Sequence, residues 1–417
     1  MVNNIVNQTG AAGKITWTLF TAQSLTSAGT IGIATVNTIV GASLSSNPAW
    51  AGLPSAIYLL GSAMTAPLWG WAMDRVGRRN GLAAGLGLGM VGVVLAAYAV
   101  VSSSFLYFCI GMALVGNLQA AMQLGRFASA EVHPPTLRGR AISNVVLGGT
   151  VGAIVGPLSV GISGKFVTQA GYNELLGPYV FASLVFTLAT LVILAMLRPD
   201  PRELGREISR QYPEDIPVTG NGRPPLVILR QPAALVSVTA MVIGQMVMVM
   251  VMVITSLHMH NHQHGLNSIA LVMSFHTVGM FAFSLVSGRM ADRWGRVPVI
   301  LVGATTLILA CLTAPLSPHL LPLSISLFLL GLGWNFCFVG GSSLLADQLS
   351  PAERARTQGL NDLIVGLASA TGSLSSGIAF ALVGYGLMGI LGALLALLPL
   401  SLALRWQINN NRLVTSS

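Results

Sequence analysis

Apolar residues run along this chain in long, nearly unbroken stretches separated by short polar ones, at about 15–41, 50–73, 81–101, 105–125, 141–164, 178–197, 233–257, 268–290, 298–315, 320–345, 358–382 and 387–404. Most approach the ~20 residues that a helix needs to cross a bilayer. The stretch Met246-Val-Met248-Val-Met250-Val-Met252 alternates as a strand would. A lone strand cannot satisfy its backbone in hydrocarbon, so this stretch too is read as helix. The pattern predicts an all-α membrane protein with twelve transmembrane helices.

Composition agrees with lipid as the solvent. Of 417 residues, 53% are hydrophobic and only 8% charged, against about 25% charged in soluble domains. The net charge of +9 first suggests nucleic acid, but the basic residues stand singly between apolar runs and form no stripe with interleaved aromatics. With the N-terminus inside, all of the 21 basic residues except Lys165 fall at cytoplasmic positions. The positive-inside rule therefore predicts both termini in the cytoplasm of a bacterial-type inner membrane. The first fourteen residues are polar, and the run after Lys14 is too long for a signal-peptide core. Cys109, Cys311 and Cys337 are isolated and suggest neither a disulfide framework nor a thiolate metal site. The Arg-, Pro- and Gly-rich stretch 198–232 divides the spans six and six. The expected domains are residues 1–197 and 233–417, each a six-helix bundle, with 198–232 as a cytoplasmic linker.

The two halves repeat each other. Gly70-x3-Asp74-Arg75-x-Gly77-Arg78 follows span 2, and Gly288-x3-Asp292-Arg293-x-Gly295-Arg296 follows span 8, 218 residues later. Glu131-x6-Arg138-x-Arg140 and Asp347-x6-Arg354-x-Arg356 follow spans 4 and 10, 216 residues apart. Two charge motifs at nearly one offset mark a parallel duplication. On these loops the chain resembles the major facilitator superfamily over essentially its whole length. The resemblance implies two pseudo-symmetric six-helix bundles that alternate access, and a cytoplasmic gate in which Asp74 latches onto the start of span 11 and Asp292 onto span 5. The alternative is plain turns bearing positive-inside arginines. Span 5 carries Gly152-x3-Gly156-Pro157-x3-Gly161, similar to the G-x3-G-P motif of the family's proton-linked drug antiporters; a small-residue packing face with a proline kink is the other reading. The span-4 arginine of those antiporters has no counterpart within Gly111–Gly116.

Ionisable groups at depth mark transport paths, because lipid penalises them. None of the twelve acids lies near a span centre. The polar residues at depth are Gln23, Asn37, Asn117, Gln119, Asn144, Gln245, Asn335 and His276, whose amides are suited to interhelical hydrogen bonds. His276 lies about 18 Å along its helix from the turn at Gly288, and its imidazole can hold a proton, bind a metal, or simply bond a carbonyl. Met248 and Met252 are one helical turn apart, as are His276 and Met280. Thioether and imidazole together favour Cu(I), whereas methionine also fills gaps. The M-x3-M and H-x3-M pair resembles the copper-importing branch of the superfamily, which serves haem–copper oxidase assembly and has riboflavin-carrying relatives. His258, Met259, His260, His262 and His264 crowd the external loop before span 8 and form a candidate metal collector, or else a pH-sensitive or merely polar loop.

Three functions remain open. The first is a copper importer with Met248, Met252, His276 and Met280 as transit site. The second is a small-molecule carrier, either a proton-coupled efflux antiporter with His276 as proton carrier or a riboflavin-type importer. The third is a non-transporting receptor on the same scaffold. No hydrolytic constellation, Walker loop or dinucleotide fingerprint suggests an enzyme. The expected partners are a small solute or metal ion and membrane lipid, with no nucleic acid and no resident cofactor, and the expected state is a monomer.

Overall fold

The computed structural model describes residues 2–134, 137–211 and 223–415. The helices are α1 (Val2–Ser45), α2 (Leu53–Val76), α3 (Arg78–Ser102), α4 (Phe105–Gln123), α5 (Gly125–Glu131), α6 (Arg138–Gln169), α7 (Gly177–Met196), α8 (Pro201–Gln211), α9 (Pro225–Leu229), α10 (Pro232–Asn261), α11 (Leu266–Phe281), α12 (Ser284–Trp294), α13 (Arg296–Thr313), α14 (Leu320–Asp347) and α15 (Pro351–Thr415). No strand occurs among the described residues. Among the described residues, ten helical stretches are long and apolar enough to cross a membrane. One of these, in α15, is broken at Gly384 (φ 74°, ψ 177°) into two runs. The 24-residue α2 is the remaining predicted span; Ser, Gly, Pro, Tyr and Trp residues within its apolar run lower its mean hydropathy. Counting both runs of α15 and α2 gives the twelve spans that the pattern predicts.

Two spans differ from unbroken rods. Span 4 ends early at Gln123, turns at Leu124 and resumes as α5. Span 8 stops at Phe281 and restarts at Ser284. Hydropathy carries no signal for the break in span 8, because Met280, Phe281, Ala282 and Phe283 are all apolar. A break at depth leaves backbone groups that need partners. At span 8, Asn335 of α14 supplies them: its Nδ2 donates to Met280 O at 2.7 Å and to Ser284 Oγ at 2.9 Å.

The chain folds as two compact units, residues 1–45 with 57–216, and 46–56 with 217–417. The division falls inside the expected linker, which carries α8 and α9. The connector 46–56 groups with the second unit, where Ser373 Oγ of α15 donates to Gly52 O at 2.9 Å. Within the first unit α1 packs on α6 and α7, and α3 on α4 and α7; within the second, α10 packs on α15 and α14, and α14 also on α11 and α13. Small residues allow this. A Cβ added at Gly148, Gly152 or Gly156 of α6 would lie 2.5, 2.5 or 2.7 Å from the carbonyls of Phe20, Ser24 or Ala28 of α1. The span-5 glycines are thus a packing face, and α6 continues through Pro157. Gly161 is buried on the same helix. Leu106, Ile162, Leu184, Leu285 and Leu382 are instead widely exposed, as lipid-facing side chains are.

Gly77 and Gly295 both take φ 93°, with ψ 160° and 164°, just before α3 and α13. This conformation is nearly closed to residues with a Cβ, which is why the loop motif needs glycine there. Gly295→Ala meets no close neighbour, the nearest atom being Pro298 Cδ at 3.7 Å, so its cost is conformational alone. It is expected to destabilise by about 1–3 kcal/mol. Gly288→Ala, in ordinary helix with open space, is expected to leave the apparent Tm unchanged. Thermal unfolding of both variants in detergent checks the contrast.

Candidate functional site

The duplicated charge motifs meet in each unit. In the first, Arg78 forks onto Glu131, Nε to Oε2 at 3.0 Å and Nη2 to Oε1 at 2.6 Å, and its Nη1 lies 2.9 Å from Asp74 Oδ1. In the second, Arg296 Nε donates to Asp347 Oδ2 at 3.2 Å and Nη1 to Asp292 Oδ1 at 2.7 Å. The last arginine of the loop after the second span therefore joins its own loop's aspartate to the acid after the fourth. Asp74 and Asp292 remain mostly exposed, so these pairs hold geometry more than they stabilise. Arg75 stacks over Trp71 at 3.6 Å. Arg293, Arg140 and Arg356 are exposed, Arg138 begins α6, and the side chain of Arg354 lies outside the described residues.

A further ion pair lies outside the duplicated motifs. Arg223, in the expected linker, forks onto Glu353 at the start of α15, at 2.9 and 3.0 Å, and donates its backbone N–H to the same carboxylate. Glu353 Oε2 also accepts from Ser350 N at 3.0 Å. Ser350-x-x-Glu353 is a capping box, legible in the sequence; its arginine partner is not. Arg223, with the N–H groups of Ser350 and Arg223, holds the Glu353 carboxyl well below the usual carboxylate range.

At mid-depth the second unit carries an aromatic wall. Trp334, central in α14, stacks on Phe338 with ring centroids 5.1 Å apart and 21° between planes. It meets Phe281 edge-on at 6.2 Å. Its Nε1 donates to Gln245 Oε1, central in α10, at 2.6 Å. All four residues are half-buried. Of them only Gln245 stood out in the sequence; aromatic residues in an apolar run carry no signal of what they face. The arrangement can stack a flat ring and hydrogen-bond its edge.

The remaining candidates are placed as follows. His276 is 1% exposed; its Nδ1 donates to Leu327 O at 2.9 Å, and its Nε2 is buried without a partner. The Met280 backbone and side chain lie against Gly331 of α14, whereas Met246 and Met250 lie against Gly372 and Gly392 of α15. Met248 is buried and Met252 half-buried. In the first unit Tyr179 Oη donates to Asn37 Oδ1 at 2.9 Å, Gln23 Nε2 to Ser27 Oγ at 3.1 Å, and Asn117 Nδ2 to Ala113 O at 3.0 Å. Gln119 is half-buried and Asn144 exposed.

α10 stays helical to Asn261, so His258 and His262 share a face, their centroids 4.3 Å apart. His258 stacks on Tyr385 at 4.1 Å. His262 Nδ1 donates to His258 O, and His264 Nε2 donates to Pro318 O. Met259 is buried and His260 half-buried. Among the described residues, no three His, Cys, Asp or Glu side chains converge as a metal site.

A family model, the Major Facilitator Superfamily, matches residues 19–267 and 237–412. The chain belongs to the major facilitator superfamily. This facilitator is a multi-pass membrane transporter acting on small solutes. It is similar to YdeG of Bacillus subtilis (strain 168), named as an uncharacterized MFS-type transporter, at 36% identity over 87% of this chain and 85% of that one. It is also similar to the riboflavin transporter RfnT of Brucella anthropi, at 32% identity over 78% of this chain and 79% of that one. Its fold matches the crystal structure of the nucleoside transporter NupG with a TM-score of 0.71 at 16% identity, over 93% and 98% of the two chains.

A carboxyl whose folded-state pKa is depressed contributes stability above its unfolded pKa and loses it as pH falls toward the folded value. The Tm advantage of this facilitator over its Glu353→Gln variant is therefore expected to be full at pH 6–7. It should shrink below about pH 4.5, as read by thermal unfolding across that range.

Proposed function

We propose that this facilitator takes up a planar, uncharged, hydrogen-bonding organic solute of the riboflavin class by alternating access. The observation that carries the reading is the mid-depth wall of Phe281, Trp334 and Phe338 with the Gln245 amide at its edge. A flat heteroaromatic ring stacks on such a wall, and its polar rim finds the amide. The absence of acids from span centres suits an uncharged cargo. The similarity to RfnT over more than three quarters of both chains supports the same class. In this reading the Arg78 and Arg296 clusters are the cytoplasmic gate, with Asp74 and Asp292 as its exposed latches, and the arginine-bearing ends face the cytoplasm.

Copper, the first expectation from softness and spacing, has less behind it. His276 already bonds the Leu327 carbonyl of α14, and the Met280 side chain lies against Gly331 of the same helix. A metal transit site at Met248, Met252, His276 and Met280 would need both side chains to turn from α14 toward α10.

The test is uptake of labelled riboflavin by flavin-requiring cells expressing the protein, with cell copper measured in parallel. Expression should raise flavin uptake. Trp334→Ala and Gln245→Ala should weaken apparent affinity about tenfold, the scale of one aromatic or hydrogen-bond contact. Met252→Leu should leave uptake unchanged. No flavin uptake above the empty vector, together with a copper content that rises on expression and falls in His276→Ala, would move the assignment to the metal.

A further inference from the structure

A recess at the cytoplasmic end of the first unit lies beside the loop that carries the charge bridge, and it takes in neither Glu131 nor any residue of the aromatic wall. It measures about 350 Å³ and opens between the end of α2, the start of α3 and the turn into α8. Arg75, Arg79, Arg198, Arg202 and Arg206 line it, against two acids, Asp200 and Glu203. Asp200 is already engaged: it accepts the backbone N–H groups of Arg78, Arg79 and Arg202 at 3.1, 3.0 and 2.9 Å. Arg79 gives Nη2 to the Leu194 carbonyl, while its Nε is buried without a partner. Arg198 and Arg206 are exposed and form no ion pair among the described residues.

This clustering is built and is more than cytoplasmic arginine in general. α8 is pinned by its other face: Leu204 and Ile208 are buried, and a Cβ at Gly205 would lie 3.2 Å from Glu131 O. Arg202 and Arg206, one turn apart, thereby point away from the buried face. Arg202 is tied down through Nη1 to Arg75 O at 3.0 Å. The second unit has a recess of about 420 Å³ beside the equivalent loop, yet Arg296 is the one arginine lining it, and that group is committed to Asp292 and Asp347. Beside the basic recess, Trp71 is 61% exposed and Val76 54% exposed, as residues at a lipid interface are.

We propose that this recess binds a phosphate group, supplied by an anionic phospholipid headgroup of the cytoplasmic leaflet. Arginine forks suit phosphate oxygens, and the neighbouring tryptophan sets the recess at headgroup level. The recess beside the equivalent loop of the second unit has no such arginine cluster among the described residues.

The test uses the full chain purified in detergent, with apparent Tm read against added phosphatidylglycerol, phosphatidylcholine or inorganic phosphate. Phosphatidylglycerol is expected to raise Tm by several degrees, phosphatidylcholine not, with the effect weakening at high salt. Arg198→Gln with Arg206→Gln should start from the wild-type Tm and lose at least half the lipid shift. Arg289→Gln, an exposed arginine of the second unit, should keep it. A full shift from inorganic phosphate alone would support the phosphate site and reject lipid as its source. Equal lipid shifts in the wild type and the double variant would overturn the proposal, as would equal shifts from both lipids. Flavin uptake plays no part in this readout, so the transport reading and this one fail separately.

Discussion

In hydrocarbon a backbone N–H or C=O has no water to bond, and every other feature of this facilitator is arranged around that constraint. It accounts for the helical form of the spans. It also makes the contacts between them depend on shape, because lipid removes the hydrophobic drive that would hold soluble helices together. Glycine supplies the shape. The α1–α6 contact brings backbone against backbone at Gly148, Gly152 and Gly156, and in the second unit Gly279 and Gly331 do the same between α11 and α14. Where a span breaks, at Phe281–Ser284, a side-chain amide replaces the lost ladder. That single asparagine lets a polar, irregular turn exist beside the aromatic wall at mid-depth.

Most charge sits in the loops and at span ends, and in the duplicated loops it is organised rather than scattered. One arginine in each unit bridges two acids from loops that are distant in sequence, and a glycine in a conformation that other residues avoid sets up the approach. The two bridges match in plan but differ in strength. Arg78 forks onto a glutamate, while Arg296 reaches an aspartate through a single longer bond. The surroundings differ more. The Asp200 carboxylate accepts the first two N–H groups of α3, from Arg78 and Arg79; among the described residues no carboxylate does so at the start of α13. Duplication has preserved the bridge and let the flanking chemistry diverge: five arginines line the recess beside the first loop, and one lines the recess beside the second, among the described residues.

The spans, the doubled six-helix plan and the repeated charge motifs are legible from the amino-acid order alone. The reason is that each rests on a local or periodic property: apolar length, or a motif repeated at a fixed offset. The capping box at Ser350 and Glu353 belongs to the same class. Tertiary structure decided the rest. The interruption of span 8 arises because an asparagine 55 residues away can satisfy the freed carbonyl. His276 bonds a carbonyl of α14 because that helix, rather than α10, packs closely on its own. Trp334, Phe281 and Gln245 form a wall because three helices converge at one depth, and the connector 46–56 joins the second unit because Gly52 fits against Ser373. Periodicity states which residues share a helix face, but not which neighbour that face meets. In lipid, steric fit between small residues makes that choice, and fit exists only once the helices are in place.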